Sequence, residues 1–189
     1  TRQVIDATLR LRQTPQYRNL LNRIEHVQSI RIQDIPDLKR SGLFASLQPV
    51  HIANDIPMIH KNWKHIQEEA YAFKSMLKAG IPIAFGSDTP IETINPFHGI
   101  YSAITRRHQL DPSAEPFFPD ECISAEEAID AYTMGAAAAS RSEMIRGDIQ
   151  KGYLADLIVL EDYRSLPDEY WLEARSLFTM IAGKVVLNT

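Results

Sequence analysis

The sequence predicts an α/β fold, a parallel sheet covered by helices and followed by a smaller, separate β-sheet, and three observations carry that expectation. Short, nearly continuous apolar runs alternate with helical segments between residues 23 and 107, the pattern of strands buried on both faces. The helical segments end on stop signals, at Pro15, Gly42 and Gly80, the last followed by Pro82. Beyond residue 150 the chain turns to short apolar runs separated by turn residues, with helical periodicity lost.

Taken in order, Val4, Ile5, Thr8 and Leu11 stand at helical spacing before Pro15. Residues 23–27 read as the first strand, 33–40 as a helix ending at Gly42, and 44–50 as the second strand. A long helix follows, with Ala70, Phe73, Met76 and Leu77 on one stripe, and residues 83–85 make the third strand. Residues 96–107 read as helix. Ser124, Ala125, Glu126 and Glu127 form a capping box that opens another helix through Ala128, Tyr132 and Ala136. The small residues 135–139 permit close packing on that helix. The tail holds strands at 157–160, 176–181 and 185–187, the last after a turn at Gly183 and Lys184.

Composition narrows the function classes. With 189 residues, 44% of them apolar and 23% charged, the chain can bury a real core. The net charge of -4 comes from intermixed signs with no dense Lys or Arg run, so neither nucleic acid nor an anionic membrane surface is expected as a partner. No apolar stretch approaches the roughly 20 residues a membrane helix needs. The one cysteine, Cys122, excludes an internal disulfide and makes the cytoplasm the expected compartment. Thr1 is no initiator Met and no signal-like apolar region follows it, while residues 4–11 read as mid-helix. The expectation is a piece of a longer protein.

Three potential ligands stand at or just past the C-terminal ends of the predicted strands: His26, His51 and Asp88. In parallel β/α architectures substrates and metals gather at that end, so the three converge on one site. Imidazole is the commonest metal ligand, and a carboxylate both binds such a cation and accepts a proton from water. Singly, each residue has an ordinary explanation. A lone His at a strand end is usually just hydrogen-bonded, and Ser87-Asp88-Thr89-Pro90 is also turn chemistry. Their common position is what raises all three. Asn54, Asp55 and Glu92 lie on the strand-to-helix loops that border the same end.

Five segments, in this order, carry a resemblance: RIEHVQ (23–28), SLQPVH (46–51), AGIPIAFGSD (79–88), AYTMGAA (131–137) and KGYLADLIVL (151–160). Together they resemble the amidohydrolase superfamily, in the branch similar to N-substituted formamide deformylase. The resemblance implies the C-terminal part of a (β/α)8 TIM-like barrel, strands 6 to 8 with their helices, plus the C-terminal strands of a small β-sandwich. It divides the chain at residues 1–150 and 151–189. It implies one or two divalent metals, usually zinc, with His26 matching the strand 6 ligand. Asp88 matches the strand 8 residue that binds metal and acts as general base. His51, on strand 7, is expected to contact substrate, with Asp55 and Glu92 as further substrate-side residues. The other ligands of that family would precede Thr1. Asp156 is expected to make a structural hydrogen bond at a strand start.

The implied function is metal-dependent hydrolysis of carbon–nitrogen, amide-like bonds in a small molecule through metal-activated water. The alternative is a non-catalytic binding or regulatory protein that keeps the fold without the chemistry. With two ligands of a usual set of four, the isolated chain is expected to hold metal weakly and to be inactive alone. Its expected partners are the preceding half of the same protein and further copies in a homo-oligomer.

Overall fold

A computed structural model describes residues 1–188 of the chain. Helix α1 (Arg2–Leu11) buries Ile5 and Thr8, and Arg2 joins it to the next helix by reaching Asp34 at 3.0 Å and Asp37 at 2.7 Å. Strand β1 (Arg23–Glu25), helix α2 (Ile35–Ser41) and strand β2 (Phe44–Leu47) form the first β/α unit. Gly42 closes α2 in the left-handed conformation, φ 64°, which lets the chain reverse into β2 without a Cβ penalty. Strand β3 (Ile83–Phe85) completes a parallel sheet in the order β1-β2-β3, with Ile24 opposite Ala45 and Leu47 opposite Phe85. Ala45 and Leu47 are fully buried, as expected of a central strand covered on both faces.

β3 has the predicted bounds, while β1 and β2 are each shorter than the sequence predicts, for a local reason. β1 stops at Glu25 because His26 and Val27 turn to φ 71° and 44°. β2 stops before Pro49, which opens a tight turn over Pro49–His51 that runs directly into helix α3 (Ile52–Asn62). The expected single long helix after β2 is three pieces: α3, a 3-10 segment over Lys64–Glu69, and helix α4 (Phe73–Lys78). Tyr71, at φ 55°, breaks the helical path, so Ala70 lies outside the helix whose stripe it was expected to share.

Helix α5 (Pro96–Thr105) starts on an Asn95 cap, whose side chain accepts from the Phe97 amide at 3.0 Å. It ends at Arg106, which stands in the left-handed region. Helix α6 (Ala125–Asp130) has both bonds of the expected capping box, at 2.8 and 3.1 Å. It passes through a wide turn over Ala131–Gly135 into α7 (Ala136–Ala139). The expected close packing is at Gly135, where a Cβ would collide with the Ile83 carbonyl of β3.

Strands β4 (Leu157–Val159), β5 (Phe178–Ile181) and β6 (Lys184–Asn188) form an antiparallel sheet in that order. The turn between β5 and β6 is Ala182 and Gly183, at φ 49° and 76°, one residue earlier than expected; two positive φ values match the twist of a tight hairpin. The Asp156 carboxylate accepts from the Ala182 amide at 2.7 Å, the structural bond the sequence suggested. Before β5, helix α8 (Tyr170–Glu173) seats the buried Trp171 against Phe97 of α5, ring centres 6.1 Å apart. β6 is exposed along its whole length. Among the described residues, no helix is long and apolar enough to cross a membrane.

Candidate metal centre

The backbone aims three side chains at one point. After β1, the His26 amide still donates to the Ser46 carbonyl at 2.8 Å; the chain then turns sharply at His26 and Val27. After β3, the Gly86 amide donates to the Leu47 carbonyl at 3.0 Å, and Asp88, at φ 57°, accepts the Ile91 amide on its own carbonyl at 2.9 Å. Non-glycine residues at positive φ cost on the order of 1–3 kcal/mol each and persist where the surroundings over-determine them. Two of the three gathered residues, His26 and Asp88, are of this kind. The third, His51, ends the tight turn after β2.

His26, His51 and Asp88 each offer one ligand atom, and these atoms lie within 4.8 Å of one another. The His51 Nε2 atom is 3.6 Å from Asp88 Oδ2, and its Nδ1 is 3.4 Å from Glu92 Oε1. The His26 and His51 rings stand 6.0 Å apart, tilted by 45°. His51 is buried while Asp88 is exposed, so the cluster opens outward past Asp88. Glu92 also accepts from the Asn54 side chain at 2.6 Å, and its own side chain is nearly covered. Two imidazoles and a carboxylate are the donor types that zinc and similar borderline divalent ions take. The set fits such an ion.

Of the six residues named in the sequence, the structure thus links five, His26, His51, Asp88 and Glu92, with Asn54 joined through Glu92. Asp55, one helical turn beyond His51, has other partners: its carboxylate accepts from the Tyr71 hydroxyl and from the Gln28 side chain at 2.6 Å. Burial first, and then the adjacent Asp55, push the Tyr71 hydroxyl above its ordinary range, so it remains a proton donor. Gln28 and Tyr71 were not visible as site residues in the sequence. Gln28 lies two positions after His26, but nothing local marks Tyr71, whose partner is 16 residues away.

The amidohydrolase family model matches residues 1–187. The putative amidohydrolase YtcJ of Bacillus subtilis is 33% identical over 168 residues, 88% of this chain and 31% of that protein. The N-substituted formamide deformylase of Arthrobacter pascens is 33% identical over 101 residues, 53% of this chain and 18% of that protein. An uncharacterized metal-dependent hydrolase from Pyrococcus furiosus superposes with a TM-score of 0.62 at 25% identity, over 78% of this chain and 30% of that one. The chain therefore spans about a third or less of the length of the curated relatives it matches. The match runs from α1 through β6 and takes in all three strand ends that meet at His51: the chain belongs to the amidohydrolase family.

Proposed function

We propose that this cluster is part of a metal-dependent hydrolytic centre that cleaves a carbon–nitrogen, amide-like bond of a small molecule. The observation that carries the reading is the convergence of His26, His51 and Asp88 on one point at the C-terminal ends of three parallel strands. His26 and Asp88 would hold the ion, zinc by the chemistry of the donors. A divalent cation so held lowers the pKa of water and polarises a carbonyl oxygen. The Asp88 carboxylate accepts a proton from the attacking water and returns it to the leaving nitrogen. Its exposed position suits that exchange, because substrate and water reach it from the open side. His51, held by Glu92, meets the substrate.

One observation favours a second role for His51. If its Nδ1–H donates to Glu92, its Nε2 lone pair faces Asp88 and the gathered donors, as in a carboxylate–histidine–metal arrangement. His51 is then a third ligand.

Barrel completion belongs to the same proposal. Residues 1–150 supply three parallel strands of a (β/α)8 barrel, and residues 151–189 supply strands of a composite sandwich. The part of the protein outside this chain would cover the rest. The exposure of Ile158, Val159, Ile181, Val185, Val186 and Leu187, spread over both faces of the small sheet, supports this, since large apolar side chains exposed together mark surface that is covered in the whole protein.

The test uses the full-length protein, with Zn²⁺ titrated against a chromophoric chelator and hydrolysis followed on a panel of N-substituted amides and formamides. His26→Ala and Asp88→Ala are expected to lose the ion and turnover together. His51→Ala keeps the ion if the residue meets substrate and loses it if it is a ligand. A protein that binds Zn²⁺ but turns over no amide favours a binding role, and one that binds no divalent ion overturns the reading.

A further inference from the structure

Arg106 is completely buried, and among the described residues no carboxylate forms an ion pair with it. A charge in that position is costly unless every donor is used. Its guanidinium donates to three main-chain carbonyls: Phe117, Tyr71 at 2.9 Å and Ala70 at 3.2 Å. The planar group also lies near two rings, 5.8 Å from the centre of Phe73 and 5.5 Å from that of Phe117. Burial lowers its pKa to about 10, still well above neutral pH.

Two of the three carbonyls it holds belong to the corner at residues 70 and 71, and that corner is the template for the turn after β1. The Tyr71 amide donates to the Gln28 carbonyl at 3.0 Å, the Ile30 amide donates to the Glu69 carbonyl at 3.0 Å, and Ser29 bridges Ala70. The Tyr71 hydroxyl and the Gln28 side chain then converge on Asp55, one turn beyond His51. The strained pair His26 and Val27 immediately precedes this clamped stretch.

We propose that Arg106 is a positioning residue for His26: by fixing the carbonyls of residues 70 and 71 it holds the segment that keeps the turn after β1 in its left-handed conformation. A guanidinium suits this because its rigid fork serves several carbonyls at once while its face lies on aromatic rings. A lysine offers one point charge and no plane. The consequence for metal affinity rests on the reading of His26 as a ligand; the consequence for the backbone does not.

The experiment is Arg106→Lys in the full-length protein, read by amide hydrogen exchange without metal and by titration with Zn²⁺ alone. Exchange at Ile30 and Tyr71 is expected to rise about tenfold or more, while the sheet amides of Ala45 and Gly86 stay within about twofold, because local opening is separable from global unfolding. Zn²⁺ affinity is expected to fall by about tenfold to a hundredfold, the usual effect of losing an outer support. Uniform acceleration across the sheet, or no change at Ile30 and Tyr71, overturns the inference. If wild-type protein binds no Zn²⁺ yet the selective exchange pattern appears, the metal reading fails and the positioning role stands. Should the variant not fold, exchange of the wild-type protein in graded urea decides. Ile30 and Tyr71 opening together, below the urea concentration that opens Ala45, supports the role, and independent opening contradicts it.

Discussion

The contact between Gly135 and β3 gives a perturbation whose sign can be worked out from coordinates. A Cβ at Gly135 would run into the Ile83 carbonyl, with the Ile83 carbonyl carbon at 3.3 Å and Ala84 Cα at 3.4 Å behind it. All three are main-chain atoms of a strand in a parallel sheet, so none can rotate away. Gly135→Ala must therefore lift the wide turn at 131–135 off β3, and overpacking of this kind costs about 1–3 kcal/mol. Gly86 is the matched control. A Cβ there meets nothing within 4 Å and the residue has no positive φ, so Gly86→Ala removes only unfolded-state freedom and stabilises by about 0.4–1 kcal/mol. The assay is urea unfolding of the full-length protein, followed by circular dichroism with m-values compared. The two substitutions are expected to move the midpoint in opposite directions. A Gly135→Ala protein within about 0.5 kcal/mol of wild type, the range of an ordinary surface change, would refute the packing of this turn on the strand that leads to Asp88.

Asp88→Asn, nearly isosteric, is expected to leave the urea midpoint in place and lower turnover by about a hundredfold or more, the worth of a positioned acid–base group; activity within a few fold of wild type would remove Asp88 from the proton transfer. Ser124→Ala breaks the cap on α6 and is expected to cost about 1 kcal/mol. Ser124→Asp restores an acceptor for the Glu127 amide, so failure of that rescue in the same unfolding assay would count against the cap. Residues 1–189 expressed alone are expected to self-associate or bind an apolar dye through the exposed β4–β6 sheet; a compact monomer by sedimentation, with no dye binding, would show that the chain needs no covering half.

The parts of the fold that were legible in the sequence are those set by local chemistry. Gly42 and Gly80 stop helices because positive φ is cheap there, and the Ser124 box satisfies end groups within four residues. The strand order followed from apolar runs separated by helices, and the shared position of His26, His51 and Asp88 followed from that order. What escaped notice is non-local. Tyr71 breaks the expected long helix because its carbonyl is held by Arg106 and its hydroxyl by Asp55, partners 35 and 16 residues away. Asp55 was expected on a strand-to-helix loop bordering the pocket, and the two donors from other segments that hold its carboxylate, Gln28 and Tyr71, could not be read from its neighbours. Arg106 fell within the helix predicted over 96–107. Its left-handed conformation instead folds the guanidinium into the core between Phe73 and Phe117.

The most direct test of the proposed centre is a crystal structure of the full-length protein grown with Zn²⁺, with anomalous diffraction recorded on both sides of the zinc edge. A peak bounded by His26 and Asp88 at the ends of β1 and β3, at Zn–N and Zn–O distances of about 2.0–2.2 Å, is the expected result. An anomalous peak elsewhere in the molecule, with His26 and Asp88 free of metal, would contradict the account.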